Sequence, residues 1–145
     1  VDVDGAFDPR SALACGLDLA RLLWVRAGDG RRGLRAVELI LGAGGFGVVA
    51  LDLGERRARV PEVSWLRLSR AAEKSDAALA VIAPWPQAGS FAVATVETSR
   101  PRPLLSQAQS TASPRLLRAV TSCVALVRSK RGAPEAPVPI TLRLR

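Results

Sequence analysis

The sequence predicts an α/β domain with a mostly parallel central sheet flanked by helices and antiparallel strands toward the carboxyl end. Three observations predict it. Short apolar runs alternate with stretches of helical spacing through the first 98 residues, the pattern of successive β–α–β units. The run Phe46-Gly47-Val48-Val49-Ala50-Leu51-Asp52 is almost uninterrupted in its apolar character, as expected of a strand covered on both faces. Beyond residue 98, turn-rich stretches separate strands and no helical period recurs.

Each element has its own local signal. Val1-Asp2-Val3 reads as the end of a strand. Asp8-Pro9 opens a helix, with aspartate as N-cap and proline at the first helical position, and Gly16 closes it. Leu22-Leu23-Trp24-Val25 is expected to be a second strand with Trp24 in the core. Residues 31–43 place Leu34, Val37, Leu39, Ile40 and Leu41 at helical spacing, ended by Gly44-Gly45. Pro61 opens a further helix with Val63, Leu66 and Ala71 facing inward and Trp65 buried. Ala77–Ala83 reads as another doubly covered strand, and Phe91–Glu97 as an edge or antiparallel strand. Residues 99–114 are rich in Pro, Ser and Gln and read as a flexible linker loop. Ala119–Val127 and Val138–Leu144 read as strands joined by a turn at 132–137. The expected organisation is an α/β core over 1–98, the linker over 99–114, and a basic β segment over 115–145 packing on the same domain.

Composition narrows the function classes. A chain of 145 residues, 48% of them hydrophobic, is long enough to bury one core. No apolar stretch approaches the roughly 20 residues of a membrane-spanning helix. The start Val1-Asp2-Val3-Asp4 lacks the positive, then apolar, character of a signal peptide, so a cytoplasmic protein is expected. Cys15 and Cys123 are expected to be buried thiols in a reducing compartment. With two cysteines and no histidine, no ordinary zinc site is expected, and the usual general base is missing. The chain holds no methionine and opens in mid-strand, so an amino-terminal part is expected to precede it. The net charge of +8 is concentrated: residues 99–145 carry nine basic groups and one acid, Glu135. That asymmetry favours an acidic partner, nucleic acid or protein.

In open α/β sheets ligands sit beyond the carboxyl ends of the strands. Asp4 and Asp52 fall there. An apolar strand ending in aspartate has the form of a Walker B element, whose carboxylate holds Mg²⁺ beside a nucleotide; an aspartate that begins a loop gives the same pattern. The sequence contains no G-x-x-x-x-G-K-[ST], the loop whose amides and lysine grip phosphates. Lys74 and Lys130 do not follow a glycine, and the glycine-rich stretch 42–47 precedes a strand.

Several stretches, in one consistent order, resemble the RecA recombinase core. Asp2-Val3-Asp4-Gly5-Ala6-Phe7-Asp8-Pro9 is similar to D-A-E-H-A-L-D-P, and residues 16–23 (GLDLARLL) to G-V-D-x-x-x-L-L. Val48–Asp52 stands in the place of the Walker B strand, and residues 127–134 (VRSKRGAP) are similar to V-K-N-K-x-x-A-P. The departures are Asp4 at the catalytic glutamate position, residues 83–86 (APWP) where the switch glutamine stands, and short DNA-binding loops. In these, and in Leu22–Arg26 and Ala43–Asp52, the chain resembles the ImuA family, RecA-like accessory proteins of inducible mutagenesis.

The resemblance implies a RecA-like core that acts as a non-catalytic adaptor in the SOS response to DNA damage, in error-prone translesion synthesis. It implies as partners an ImuB-like Y-family polymerase homologue, an error-prone C-family polymerase and RecA itself. No cofactor is expected, and Asp4 and Asp52 are expected to be vestigial nucleotide and Mg²⁺ positions. In the recombinase the stretch matching Arg128 and Lys130 reaches nucleotide on a neighbouring subunit, so Arg128, Lys130 and Arg131 are expected to contact a partner here. Arg100 and Arg102 in the linker and an exposed Trp85 are further partner candidates. Alternatives are a RecA-type ATPase with its P-loop in an amino-terminal part, DNA binding through the basic carboxyl third, and a cell-division inhibitor.

Overall fold

A computed structural model describes residues 1–55, 60–106, 116–132 and 136–143. The chain is mixed α/β and divides into two compact units, Val1–Phe91 and Ala92–Arg145. Among the described residues no helix is long and apolar enough to cross a membrane.

In the first unit, Asp2 bridges Arg26 on one side and Asp52 on the other, both in parallel. Strand β1 (Val48–Asp52) pairs in parallel with β2 (Ala78–Ile82), Val48 opposite Ala78 and Asp52 opposite Ile82. The lateral order is therefore Arg26, Asp2, β1, β2. Helix α1 (Pro9–Ala14) lies in the connection between Asp2 and Arg26, followed by a 3-10 turn at Leu19–Arg21. Helix α2 (Gly30–Ala43) leads into β1, and α3 (Glu62–Lys74) into β2. Each helical start has a local cause. Asp8 accepts from the amides of Arg10 and Ser11 at the head of α1, and Asp29 from that of Arg32 at 2.8 Å.

The core follows helical spacing. Gly33, Val37 and Leu41 of α2 and Trp65, Leu68 and Ala72 of α3 are buried. They close on Val3, Val49, Leu51, Leu53 and Val60. Leu51, Leu68 and Val37 are fully buried, and each side chain of this size contributes about 1.5–3 kcal/mol by leaving water. Gly33 lets α2 approach the sheet: an added Cβ would stand 3.0 Å from Cγ2 of Val3 and 3.4 Å from Cδ1 of Leu51. Glu38 of α2 pairs with Arg67 of α3 and tethers the helices.

The first unit departs from the sequence expectation in several places. β1 and β2 are covered on one face only: Val49 and Leu51 are buried, whereas Val48, Ala50, Ala78, Ala80 and Ile82 are exposed. Apolar residues on both faces do not require cover on both. The expected strand at Leu22–Val25 reduces to a single bridge at Arg26. Trp24 is 38% exposed, because its indole turns toward Asp2. In α3 the inward face is Trp65, Leu68 and Ala72; Val63 is exposed, and Leu66 and Ala71 are half-buried. Cys15 is exposed and Cys123 half-buried.

The second unit is an antiparallel meander. β3 (Ala94–Thr98) and β4 (Arg102–Leu105) lie end to end along one edge of β5 (Leu117–Ser129). β6 (Val138–Arg143) lines the other edge, since Ala119 faces both Leu104 and Arg143, and Val124 both Thr98 and Val138. Ser99 fills the break between β3 and β4. Its amide donates to the Cys123 carbonyl at 2.8 Å, and its hydroxyl accepts from the Cys123 amide at 2.9 Å. The expected linker loop thus contains a strand at 102–105. Its prolines point to a loop, yet an edge strand tolerates Pro103 because one side of it needs no donor. The stretch 107–114 lies outside the described residues, as does Leu144.

Candidate functional site

The carboxyl ends of the parallel segments bring Asp4 and Asp52 to one turn, and Asp2 lies in the bridge just before Asp4. Asp52 closes β1, and its Oδ1 accepts from the Gly54 amide at 2.9 Å. Asp4 lies in the bend just after the Asp2 bridge, and its Oδ2 accepts from the Glu55 amide at 3.1 Å. The turn after β1 is thereby pinned from both sides. Gly54 sits in the left-handed region at φ 67°, and a Cβ there would overlap the Asp4 carboxylate and stand 2.9 Å from its Cβ. The structure therefore brings Asp4 and Asp52 together, and it brings them to the chain's own amides.

Asp2, which sequence reasoning passed over, is the organising group. It is 4% exposed. Its Oδ1 accepts from Gly5 (2.7 Å) and Ala6 (3.1 Å), and its Oδ2 from Phe7 (3.0 Å) and from the Trp24 indole (3.2 Å). Burial raises its pKa, but the amides of Phe7, Ala6 and Gly5 and the Trp24 indole outweigh that and hold the carboxyl below its usual range. Phe7 and Trp24 also meet ring to ring at 5.3 Å, and the Arg26 guanidinium lies 5.3 Å from the Trp24 ring centre. The signal available in the sequence was an aspartate between two valines of one strand.

Among the described residues no three His, Cys, Asp or Glu side chains are grouped to hold a metal ion. Asp2 accepts four hydrogen bonds, and Asp4 and Asp52 each hold an amide of the turn after β1.

The expected partner-binding residues fall in separate places. Arg100 and Arg102 are exposed at the β3–β4 break and on β4, Arg102 opposite Thr121 of β5. Arg128 is half-buried, its Nη1 donating to the Ala92 carbonyl at 3.4 Å. Lys130 and Arg131 are exposed just beyond β5. At about 3.3 Å per strand residue, Thr121 and Arg128 stand roughly 23 Å apart, so the cations form two groups. Trp85 belongs to the first unit and is half-buried, not exposed. The two flanking prolines suggested an open turn, but the ring is partly covered.

No family model matches this chain, and no curated protein matches it.

Proposed function

We propose that this chain is a RecA-like adaptor that binds other proteins in SOS-induced error-prone DNA repair and does not itself turn over ATP. The observation that carries the non-catalytic reading is the use of the strand-end carboxylates. Asp4 and Asp52, the positions a nucleotide's Mg²⁺ would address, hold the amides of Glu55 and Gly54. The sequence also lacks a G-x-x-x-x-G-K-[ST] loop. Carboxylates held by the amides of their own turn are less free to hold Mg²⁺ beside a nucleotide, and this supports the adaptor reading. The parallel order of Arg26, Asp2, β1 and β2, followed by an antiparallel meander, supports the RecA-like reading. The partners proposed are an ImuB-like Y-family polymerase homologue, an error-prone C-family polymerase and RecA, with the cytoplasm as their common compartment.

The test is capture of partners from DNA-damaged cells with the tagged chain, repeated with Arg128, Lys130 and Arg131 changed to alanine. Polymerase-type partners are expected with the native chain and weaker recovery with the triple variant. Recovery of nucleic acid alone, or measurable ATP turnover by the purified chain, overturns the proposal.

A further inference from the structure

The strands of the second unit present one continuous apolar face. Val120, Ser122, Val124 and Leu126 alternate along β5 and so share a side of the sheet. Residues directly opposite in the ladder share it with them. Val138 and Thr98 flank Val124, Ile140 stands opposite Ser122, and Val96 and Pro103 stand opposite Leu126 and Val120. Leu105, two residues past Pro103, extends the face to Leu117. Register alone therefore makes the patch contiguous across the sheet. Val138 is 57% exposed and Ile140 41%, and Val96, Leu105 and Leu117 are exposed with them. Among the described residues of this unit only Ala119 is buried, yet a sheet with an apolar face is stabilised by covering it.

The face offers no charge that would select an ionic partner. Arg102 and Glu97 lie on the reverse side, opposite Thr121 and Ala125. Arg128 pairs with Thr95, which alternates with Val96 and so also belongs to the reverse. Lys130 and Arg131 follow the end of β5, and Arg118 falls in the irregularity at its start. The Ser122 hydroxyl donates to the Ser99 carbonyl at 2.8 Å, so it brings no unmet donor to the face.

From this pattern we infer that the apolar face packs against the same face of a second copy of the chain. Read along β5 the face runs Leu117, Val120, Ser122, Val124, Leu126, the same residue types in both directions about Ser122. The irregularity at Arg118 absorbs the one extra residue between Leu117 and Val120. A two-fold axis crossing β5 at Ser122 stacks Val124 on Val120 of the second copy, and Leu126 with Val96 on its Leu117 with Leu105. Ile140, opposite Ser122, meets its own counterpart. Apolar groups thus meet apolar groups at every layer, as a self-complementary two-fold interface requires. With about 4.8 Å between strands and about 3.3 Å per residue, the strands tile roughly 500 Å² per copy. Two copies then bury about 1,000 Å², roughly what a specific but weak interface needs. The inference stands apart from the adaptor reading, and polymerase capture decides neither way on it.

The test is sedimentation velocity on the native chain from about 1 to about 200 µM, the range suited to a weak interface. A monomer that becomes a dimer with rising concentration is expected. The two units, each of net charge +7, repel one another, so the dimer is expected to hold or tighten between about 50 and 200 mM salt as screening grows. Ile140→Glu and Ile140→Lys each set like charges against each other. Each is expected to weaken association by at least about tenfold with an unchanged circular dichroism spectrum, and an equimolar mixture of the two to restore it. Leu104→Glu, on the reverse face opposite Ala119, is expected to change nothing. Val96→Glu takes the place of either Ile140 variant that fails to fold. A chain that stays monomeric throughout overturns the inference, as do equal weakening by Leu104→Glu and a mixture of the Ile140 variants that does not associate. Association that dissolves as salt rises also overturns it, because that is the mark of nucleic acid bridging two cationic units.

Discussion

The Asp2 carboxylate takes four hydrogen bonds, three of them from the amides of one short loop, in a site almost closed to water. Removing it strands those donors, so Asp2→Ala is expected to cost about 2 kcal/mol or more in a urea titration. The same bonds fix the pH dependence. Burial raises the pKa, yet the amides and the indole lower it further than burial raises it, and the folded value ends depressed. The unfolded chain then binds this proton more readily. The stability contributed is complete above the unfolded pKa of about 3.9 and is lost as pH falls through the depressed folded value. The urea midpoint is expected to fall between pH 5 and pH 2, and by less in Asp2→Asn. Gly54 makes a second test. At φ 67°, against Asp4, a methyl group meets both a strained backbone and an occupied space. Gly54→Ala is expected to cost about 2–3 kcal/mol, and about 1 kcal/mol of strain is expected to remain when Asp4→Ala empties that space. An unchanged cost in the double variant would place all of it in the backbone.

Elements with local punctuation were legible in the sequence, and elements decided at a distance were not. Asp8-Pro9 and Gly16 bound α1, and the 3.6-residue spacing of residues 31–43 gave α2 to within a residue. Asp29 caps α2 and also pairs with Arg32 at 3.3 Å on the surface. Asp29→Ala is expected to lower stability by about 1 kcal/mol and Asp29→Ser by much less, because the cap and not the exposed pair carries the effect. The inward face of α3 was misjudged, since Val63 and Leu66 are as apolar as the buried Leu68 and only contact with α2 and β2 separates them. Leu68→Ala is expected to cost about 3–5 kcal/mol and Val63→Ala almost nothing, read as shifts in thermal midpoint. Of the candidate site, Asp4 and Asp52 were legible as strand-end acids. Asp2 was not, because its burial depends on residues 5–7 folding back over it and on Trp24 arriving from the far side of α1. β4 was hidden by Pro103 and by Pro101 just before it, which read as loop wherever the neighbouring strand is unknown.

At the scale of the whole molecule the charge divides as the chain does. Residues 1–91 carry 12 basic and 11 acidic groups, a net +1; residues 92–145 carry 9 basic and 2 acidic, a net +7. The second unit contains no Phe, Trp or Tyr on which a base could stack. With nine basic groups and no aromatic ring, any hold it has on nucleic acid draws on phosphate contacts and is steeply dependent on salt. Each phosphate contact contributes about −0.9 to the slope of log affinity against log salt on duplex DNA. If Arg128, Lys130 and Arg131 each meet one phosphate, the triple alanine variant is expected to flatten that slope by about 2.7.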